Sequence, residues 1–177
     1  YFTHKISNIR QRVLSRLRSV LYGGYMCVTY PPSALLGLKR AKHLIQHMFL
    51  QNMQPDKLLD VGCGSGVFLH RMHKLGWSAS GLDFDAKAIE NAKAICGPNV
   101  TVLHSDLVGA RFPSDSFFAV TLSHVIEHAP DPVALLVECR RVMKPGGLLV
   151  VTTPNIQSFG HQKYRDCWWG LDSPRHL

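Results

Sequence analysis

The sequence is poor in features that would mark a membrane protein or a disulfide-rich one. No apolar run approaches the roughly 18 residues that a membrane-spanning helix requires. The five cysteines are odd in number and scattered, which argues against a disulfide framework and against a cysteine-based zinc site. Hydrophobic residues make up 46% of the chain and charged residues only 18%, a balance that excludes global disorder. We expect a folded protein with reduced thiols in the cytoplasm.

Acidic residues are absent from the N-terminal quarter of the chain, although the chain as a whole carries a formal net charge of +8. Within this quarter, residues 5–21 place apolar side chains three and four positions apart, which predicts an amphipathic helix. We interpret its basic residues as a solvated face, which is the usual role of a charge run. Contact with an anionic membrane surface or with nucleic acid stays open as the alternative.

The rest of the chain alternates short apolar strands with helices. A helix from Ser33, its N-cap, to Gln51 precedes this region. The expected strands are 57–61, 78–82, 100–104, 117–123 and 148–153, and the expected helices are 66–75, 86–95 and 132–143, the last closed by a turn at 144–147. This alternation predicts parallel βαβ units with helices on both faces of an open sheet. Such sheets bind ligands beyond the carboxyl ends of their strands.

The most informative segment is the glycine-rich run from Asp60 to Gly66 (DVGCGSG), which follows a strand and opens a helix. Glycines there permit a tight turn and let a ligand approach the backbone closely. A dinucleotide site needs G-x-G-x-x-G, but Val67 stands where the third glycine should be, counted from Gly62. Asp60 would also lie near the pyrophosphate of a dinucleotide, whereas it suits the ammonium group of S-adenosylmethionine. The run therefore favours S-adenosylmethionine over a dinucleotide.

Two further strand ends carry a carboxylate. Asp83 ends the second strand, where nucleotide-binding proteins use a carboxylate to accept hydrogen bonds from ribose hydroxyls. Asp106 follows the third strand, where it can accept from an adenine amino group while the Leu107 amide donates to the ring. Taken alone, Asp106 would more often be a turn or helix-cap residue. As the third acidic strand end in series, it supports a nucleoside site.

These features together resemble the class I S-adenosylmethionine-dependent methyltransferases over roughly residues 57–155. The resemblance is carried by the run 60–66, Asp83, Ser105-Asp106 and the Pro-Gly-Gly turn at 144–147. Three other segments resemble the small-molecule subfamily that includes ubiquinone-biosynthesis-type O-methyltransferases. These are His124–His128 (HVIEH), Thr153-Pro154-Asn155 and residues 168–177 (WWGLDSPRHL).

The resemblance implies an α/β fold with a Rossmann-like, doubly wound, mostly parallel sheet of strand order 3-2-1-4-5. It implies an N-terminal helical cap over residues 1–52 and a methyltransferase core over 53–177. Members usually complete their sheet with a C-terminal hairpin, which is expected to be missing here. The chain, which begins at Tyr1, is therefore expected to be a piece of a longer protein, with the fifth strand an exposed edge.

The resemblance also implies which residues bind the cofactor. It assigns Asp60, Gly62 and Gly64 to the methionine part and Asp83 to the ribose. Adenine is assigned to Phe84, Asp106 and Leu107, and Cys63 and Ser123 complete the expected cofactor-binding set.

The segment His124–His128 also matches the H-x-x-E-H pattern of inverted zinc peptidases. That chemistry needs both histidines on one continuous helix. His124 follows a strand, however, and Pro130 and Pro132 interrupt any helix after His128, so no metal site is expected. Beside the transferring methyl, His124 is instead a candidate base for a substrate hydroxyl or amine. A purely local structural role for the two histidines is an equal alternative.

The predicted function is methyl transfer from S-adenosylmethionine to an oxygen nucleophile of a small molecule, with nitrogen and carbon less favoured. The product of the cofactor is S-adenosylhomocysteine. A nucleic-acid methyltransferase, a dinucleotide-dependent oxidoreductase and a binding-only pseudoenzyme stay open as alternatives, with nucleic acid disfavoured as a partner.

Overall fold

Five parallel strands form the centre of the structure, a computed structural model that describes residues 32–165 and residue 168. The strands are β1 (Lys57–Val61), β2 (Ser78–Asp83), β3 (Thr101–His104), β4 (Phe117–Ser123) and β5 (Met143–Thr152). They lie side by side in the order β3-β2-β1-β4-β5. The predicted doubly wound sheet and its strand order are confirmed.

The helices are α1 (Pro32–Gln46), α2 (Val67–Lys74), α3 (Ala86–Cys96), α4 (Pro132–Val142) and α5 (Phe159–Tyr164), and Ile126–His128 forms one turn of 3-10 helix. The chain divides into two compact units, residues 1–46 and 47–177. Helix α1 belongs to the first unit, and the sheet with the other helices belongs to the second. Within the described part of the chain, no helix is long and apolar enough to cross a membrane.

Two apolar clusters cover the two faces of the sheet, because successive strand side chains point to opposite faces. Leu58 of β1 belongs to the cluster that includes Leu69 of α2 and Ile89 of α3. The neighbouring Leu59 belongs to the cluster that includes Val142 of α4. This division explains why the strands read as nearly continuous apolar runs, since both faces are buried.

Aspartate side chains start two of the helices at the carboxyl-terminal edge of the sheet. Asp85 accepts a hydrogen bond from the Lys87 amide at the start of α3, and Asp131 accepts from the Ala134 amide at the start of α4. Each satisfies a backbone donor that the helix leaves unpaired. These caps hold the loops after β2 and β4 in place.

Two local predictions were wrong. Helix α1 starts at Pro32 rather than after a Ser33 cap, since proline is well tolerated in the first helical turn. It ends at Gln46 rather than Gln51, and Met48 and Phe49 have positive φ, which a continuing α-helix does not allow.

The turn expected at 144–147 is part of β5 instead. Its pairing with β4 shifts register between Phe117 and Ala119, and Gly146 has a φ of 75°. Residues 144–147 stand opposite Phe118 alone, three residues more than a regular ladder has, so β5 bulges outward here and then resumes its pairing. The amphipathic helix predicted at 5–21 lies outside the described residues.

Candidate active site

A cavity of about 610 Å³ opens at the carboxyl ends of the strands. Its wall is built by the loops after β1, β2, β3 and β4 and by the first half of α4. This is the edge at which open α/β sheets bind their ligands. The predicted site residues in its wall are Gly62, Gly64, Asp83, Phe84, Asp106, Leu107 and His124. The other three, Asp60, Cys63 and Ser123, do not line it.

The glycine-rich loop after β1 folds back on the end of β2. The amides of Gly62 and Cys63 both donate to the Leu82 carbonyl, at 2.8 and 3.0 Å. The Gly64 amide donates to Oδ2 of Asp83 at 2.9 Å. In a dinucleotide site such amides face the pyrophosphate. Here they are already paired within the protein, which agrees with the failed glycine spacing.

Two glycines of this loop are required for different reasons. Gly62 has a φ of 75°, and a Cβ there would lie 2.4 Å from Cγ2 of Val125, so the residue must stay small for the loop after β4 to pass. Gly64 has a φ of 52°, and a Cβ there would meet nothing within 4 Å. Because Gly64 lines the cavity, its backbone is open to a bound ligand.

Two buried carboxylates lie at the base of this loop. Asp60 is 4% exposed, and its Oδ1 accepts a hydrogen bond from the Thr121 hydroxyl at 2.7 Å. Burial raises the pKa of Asp60 to about 7, with a further contribution from the neighbouring charge of Asp83, while the Thr121 hydrogen bond acts in the opposite direction. A cationic group bound nearby would favour ionised Asp60, whereas an anion would not.

Asp83 and Cys63 both stabilise the glycine-rich loop, Asp83 by hydrogen bonds and Cys63 by packing. The two Asp83 oxygens accept from the amides of Gly64 and Asp85, each at 2.9 Å, so this side chain ties the loop after β1 to the loop after β2. The Cys63 thiol is buried, and burial raises its pKa to about 12. It is therefore a packing residue and not a reactive thiolate.

The opposite end of the cavity is apolar and partly uncovered. Phe84 is 82% exposed and Val108 is 70% exposed, although both line the cavity beside buried Leu107. His104 Nε2 lies 2.8 Å from the Phe84 carbonyl and holds the backbone there. Exposed apolar side chains in a concave wall are typical of a ligand site.

Asp106 makes a turn hydrogen bond, which is the alternative to adenine binding that the sequence also allowed. Its Oδ1 accepts a hydrogen bond from the Gly109 amide, and its side chain also borders the cavity. Ser123 accepts from the Thr152 hydroxyl at 3.1 Å, so its hydroxyl joins the ends of β4 and β5.

His124 combines an unusual backbone with a directed side chain. Its φ is 55°, a conformation that is rare outside glycine and often found at functional sites. Its amide donates to the Thr152 carbonyl at 2.9 Å. Its Nδ1 lies 3.2 Å from Oε1 of Glu127, and the Thr153 hydroxyl donates to Oε2 of Glu127 at 3.1 Å.

Sequence alone indicated no role for Glu127 and Thr153, which form the hydrogen bonds beside His124. Both stand in segments that carried the resemblance, yet neither received a role. The three-residue spacing of His124 and Glu127 was a usable signal, because a tight turn brings such residues together.

The zinc-peptidase pattern is not built as a helix. His124 follows β4, while Glu127 and His128 lie in the 3-10 turn, so the histidines do not share one continuous helix. Among the described residues, no group of three or more His, Cys, Asp or Glu side chains could hold a metal ion.

The fold and this site together define a class I S-adenosylmethionine-dependent methyltransferase. A family model described as a methyltransferase domain matches residues 36–177. The chain belongs to that family, whose cofactor is S-adenosylmethionine. The class predicted from the glycine-rich run and the acidic strand ends is confirmed.

Known proteins similar to this chain carry related names. A ubiquinone biosynthesis O-methyltransferase of Thiobacillus denitrificans is 35% identical over 104 residues, which cover 56% of this chain and 44% of that protein. A protein of the same name from Methylococcus capsulatus is 28% identical over 76% of this chain and 60% of its own length. The chain therefore spans about half the length of the curated relatives it matches.

A solved structure shows the same architecture. The S-adenosylmethionine-dependent methyltransferase of Mesorhizobium loti superposes with a TM-score of 0.51 at 31% identity. The match covers 58% of this chain and 50% of that one.

Proposed function

We propose that this protein transfers a methyl group from S-adenosylmethionine to a hydroxyl oxygen of a small molecule. The observation that carries the proposal is the His124 imidazole in the cavity wall, held by the Glu127 carboxylate. Methylation of a hydroxyl needs a group that takes up the departing proton. The names of the two O-methyltransferase relatives support oxygen as the acceptor atom.

The cofactor is proposed to lie along the loops after β1, β2 and β3. Gly62 and Gly64, with Cys63 between them, would border its methionine part, and Asp83 would accept from the ribose hydroxyls. The open space at Gly64 supports the first assignment. Asp60 lies below the loop and would act through its charge, because a bound ammonium offsets the cost of burying a carboxylate.

Adenine is proposed to lie at the apolar end of the cavity. The exposed ring of Phe84 offers a stacking surface, and Asp106 and Leu107 border the same space. Ser123, the last residue of β4, stays a predicted cofactor contact, although its hydroxyl pairs with Thr152 and it does not line the cavity.

The chemistry asks little of the protein beyond alignment and a base. S-Adenosylmethionine supplies a sulfonium methyl group, and its product is a neutral thioether. Because the leaving group carries no charge, no oxyanion hole is needed for it, and alignment of the acceptor, exclusion of water and proton removal by His124 account for the contribution of this chain.

The test is a methyl-transfer assay that measures formation of S-adenosylhomocysteine over a panel of phenols, aliphatic alcohols, amines and RNA. We expect transfer to a hydroxyl compound, and His124→Ala should lower kcat by about 100-fold. The dissociation constant for S-adenosylhomocysteine should change less than about twofold, since the base removes an acceptor proton and does not hold the cofactor.

His73→Ala is the matched control, because His73 lies on α2 and does not line the cavity; its turnover should equal that of the wild type. Turnover of His124→Ala equal to that of the wild type would contradict the role of His124 as the base. Methyl transfer to RNA alone would contradict a small-molecule acceptor. Calorimetry that detected NADH binding and no S-adenosylhomocysteine binding would contradict the cofactor.

A further inference from the structure

We infer that Glu127 and Thr153 position His124 for proton removal by fixing which ring nitrogen carries its hydrogen. This inference rests on the proposed function and names residues whose roles lie beyond it. The two carboxylate oxygens of Glu127 are used separately. One lies 3.2 Å from Nδ1 of His124, and the other accepts from the Thr153 hydroxyl at 3.1 Å.

The exposed fractions of the Glu127 and His124 side chains differ, as expected if shielded Glu127 acts through accessible His124. The Glu127 side chain is 8% exposed, whereas that of His124 is 53% exposed. Glu127 is thus largely shielded from solvent, whereas the His124 side chain is accessible and His124 lines the cavity. Glu127 does not line the cavity itself, so it is a positioning residue.

The consequence for the imidazole follows from its two nitrogens. A carboxylate accepts and cannot donate when it is ionised, so it pairs with Nδ1 only if Nδ1 carries the hydrogen. Nε2 then keeps a lone pair, which is what a base needs to take a proton from an acceptor hydroxyl. Thr153 holds the second oxygen of Glu127 and so fixes the direction of the first.

The ends of β4 and β5 hold this arrangement in place. The His124 amide donates to the Thr152 carbonyl, and the Thr153 hydroxyl that binds Glu127 follows directly in the chain. The backbone of His124, with a φ of 55°, leaves the strand conformation directly after the last residue of β4. A strained backbone conformation of this kind persists where the surrounding structure over-determines it.

Other titratable groups border the same cavity, and their hydrogen bonds mostly go elsewhere. Asp83 accepts from the amides of Gly64 and Asp85, and Asp131 caps α4. Glu138 pairs with Arg141. Asp85 accepts from the Lys87 amide and Asp106 from the Gly109 amide. His128 is the other titratable side chain in the wall.

The direct test is the tautomer of His124, read from the ring ¹⁵N shifts of the protein without added ligand at about pH 8, above the usual titration range of imidazole. We expect Nδ1–H to dominate in the wild type. Glu127→Met removes the acceptor and should return the ring to the mixture of a solvated imidazole. Glu127→Gln keeps a carbonyl oxygen that can accept and should largely retain Nδ1–H. Thr153→Val should have an intermediate effect.

Glu90→Met is the control for loss of a carboxylate, because Glu90 is exposed on α3 and pairs with Lys87. Its His124 tautomer should match the wild type. An unchanged His124 tautomer in Glu127→Met would overturn the inference. Equal loss of the Nδ1–H tautomer in Glu127→Gln and Glu127→Met would also overturn it.

The kinetic readout separates this inference from the proposed function. Glu127→Met should lower kcat at least about 10-fold, as loss of the carboxylate that holds a base histidine in its tautomer does, while the KM for S-adenosylmethionine stays within about twofold. Tautomer changes without methyl transfer by any variant would support the positioning and refute the proposed activity. If the wild type transfers methyl groups but the His124 tautomer mixture is the same in the wild type and every variant, the positioning alone would be refuted.

Discussion

Replacement of Asp60 by asparagine is expected to stabilise the protein at neutral and alkaline pH. Asp60 is buried, and its pKa is raised from 3.8 to about 7, mainly because burial disfavours the charged form. The folded protein therefore keeps a proton on Asp60 up to about pH 7, which the unfolded chain releases near pH 4. Since the folded state binds more protons between these values, its stability falls as pH rises through that window.

The size of the effect follows from the same linkage. Each pH unit inside the window costs about 1.4 kcal/mol at most, so the full penalty above pH 7 is at most about 4 kcal/mol. Asparagine keeps an oxygen for the Thr121 hydroxyl and carries no charge to desolvate. The gain of the variant over the wild type should therefore be small near pH 4, increase up to pH 7 and stay constant above it.

Urea denaturation of the wild type and Asp60→Asn at pH 5 and pH 8 measures this gain. It should be larger at pH 8 than at pH 5 by up to about 3 kcal/mol. Asp115→Asn, which removes an exposed carboxylate, is the control and should show no such trend. A gain for Asp60→Asn that does not depend on pH would refute the assignment of a raised pKa.

Ligand binding provides an independent readout of the same group. An ammonium bound near Asp60 favours its carboxylate, so binding of S-adenosylhomocysteine at about pH 6 should release protons. Calorimetry in two buffers of different ionisation enthalpy measures that release. Asp60→Asn should bind more weakly and release fewer protons, and equal proton release by both proteins would refute an ammonium beside Asp60.

Two further predictions concern the loops around the cavity. Gly62→Ala should lower the free energy of unfolding by about 2 kcal/mol or more, because the new Cβ would lie 2.4 Å from Val125. Gly146→Ala is the matched control in thermal unfolding, since it has the same φ of 75° with nothing within 4 Å, and equal losses would show that the clash does not matter. Phe84→Ala should leave thermal stability nearly unchanged, because Phe84 is 82% exposed. If the ring stacks on adenine, the variant should bind S-adenosylhomocysteine about tenfold more weakly by calorimetry; unchanged affinity would contradict the stacking.

The elements that could be predicted from sequence are those whose signal is local. Strand β4 occupies residues 117–123 as expected, since a short apolar run between turn residues depends on no partner. The bulge in β5 was missed because it exists only relative to β4: the register changes between Phe117 and Ala119. A Pro-Gly-Gly sequence is compatible with a turn and with a bulged strand, and pairing with the neighbouring strand decides between the two.

The same distinction holds for the candidate site. The acidic strand ends were visible because each follows its own strand directly. The contact between Glu127 and Thr153 joins residues 26 positions apart, and it depends on β4 and β5 being neighbours. The clash that fixes Gly62 likewise comes from Val125, on the loop of a different strand.

The hydrogen bonds of the glycine-rich loop give a physical reason to expect a cationic rather than an anionic ligand group beside it. Glycine spacing argued against a dinucleotide only by mismatch with a pattern. The structure supplies the physical reason: the Gly62 and Cys63 amides are paired with the Leu82 carbonyl, and the Gly64 amide is paired with Asp83. A pyrophosphate here would lack those donors, would lie near the Asp83 carboxylate and would oppose ionisation of Asp60, because like charges repel strongly in a buried setting. A cation would instead offset the desolvation of Asp60, so we expect the loop that cradles phosphate in dinucleotide sites to favour an ammonium here.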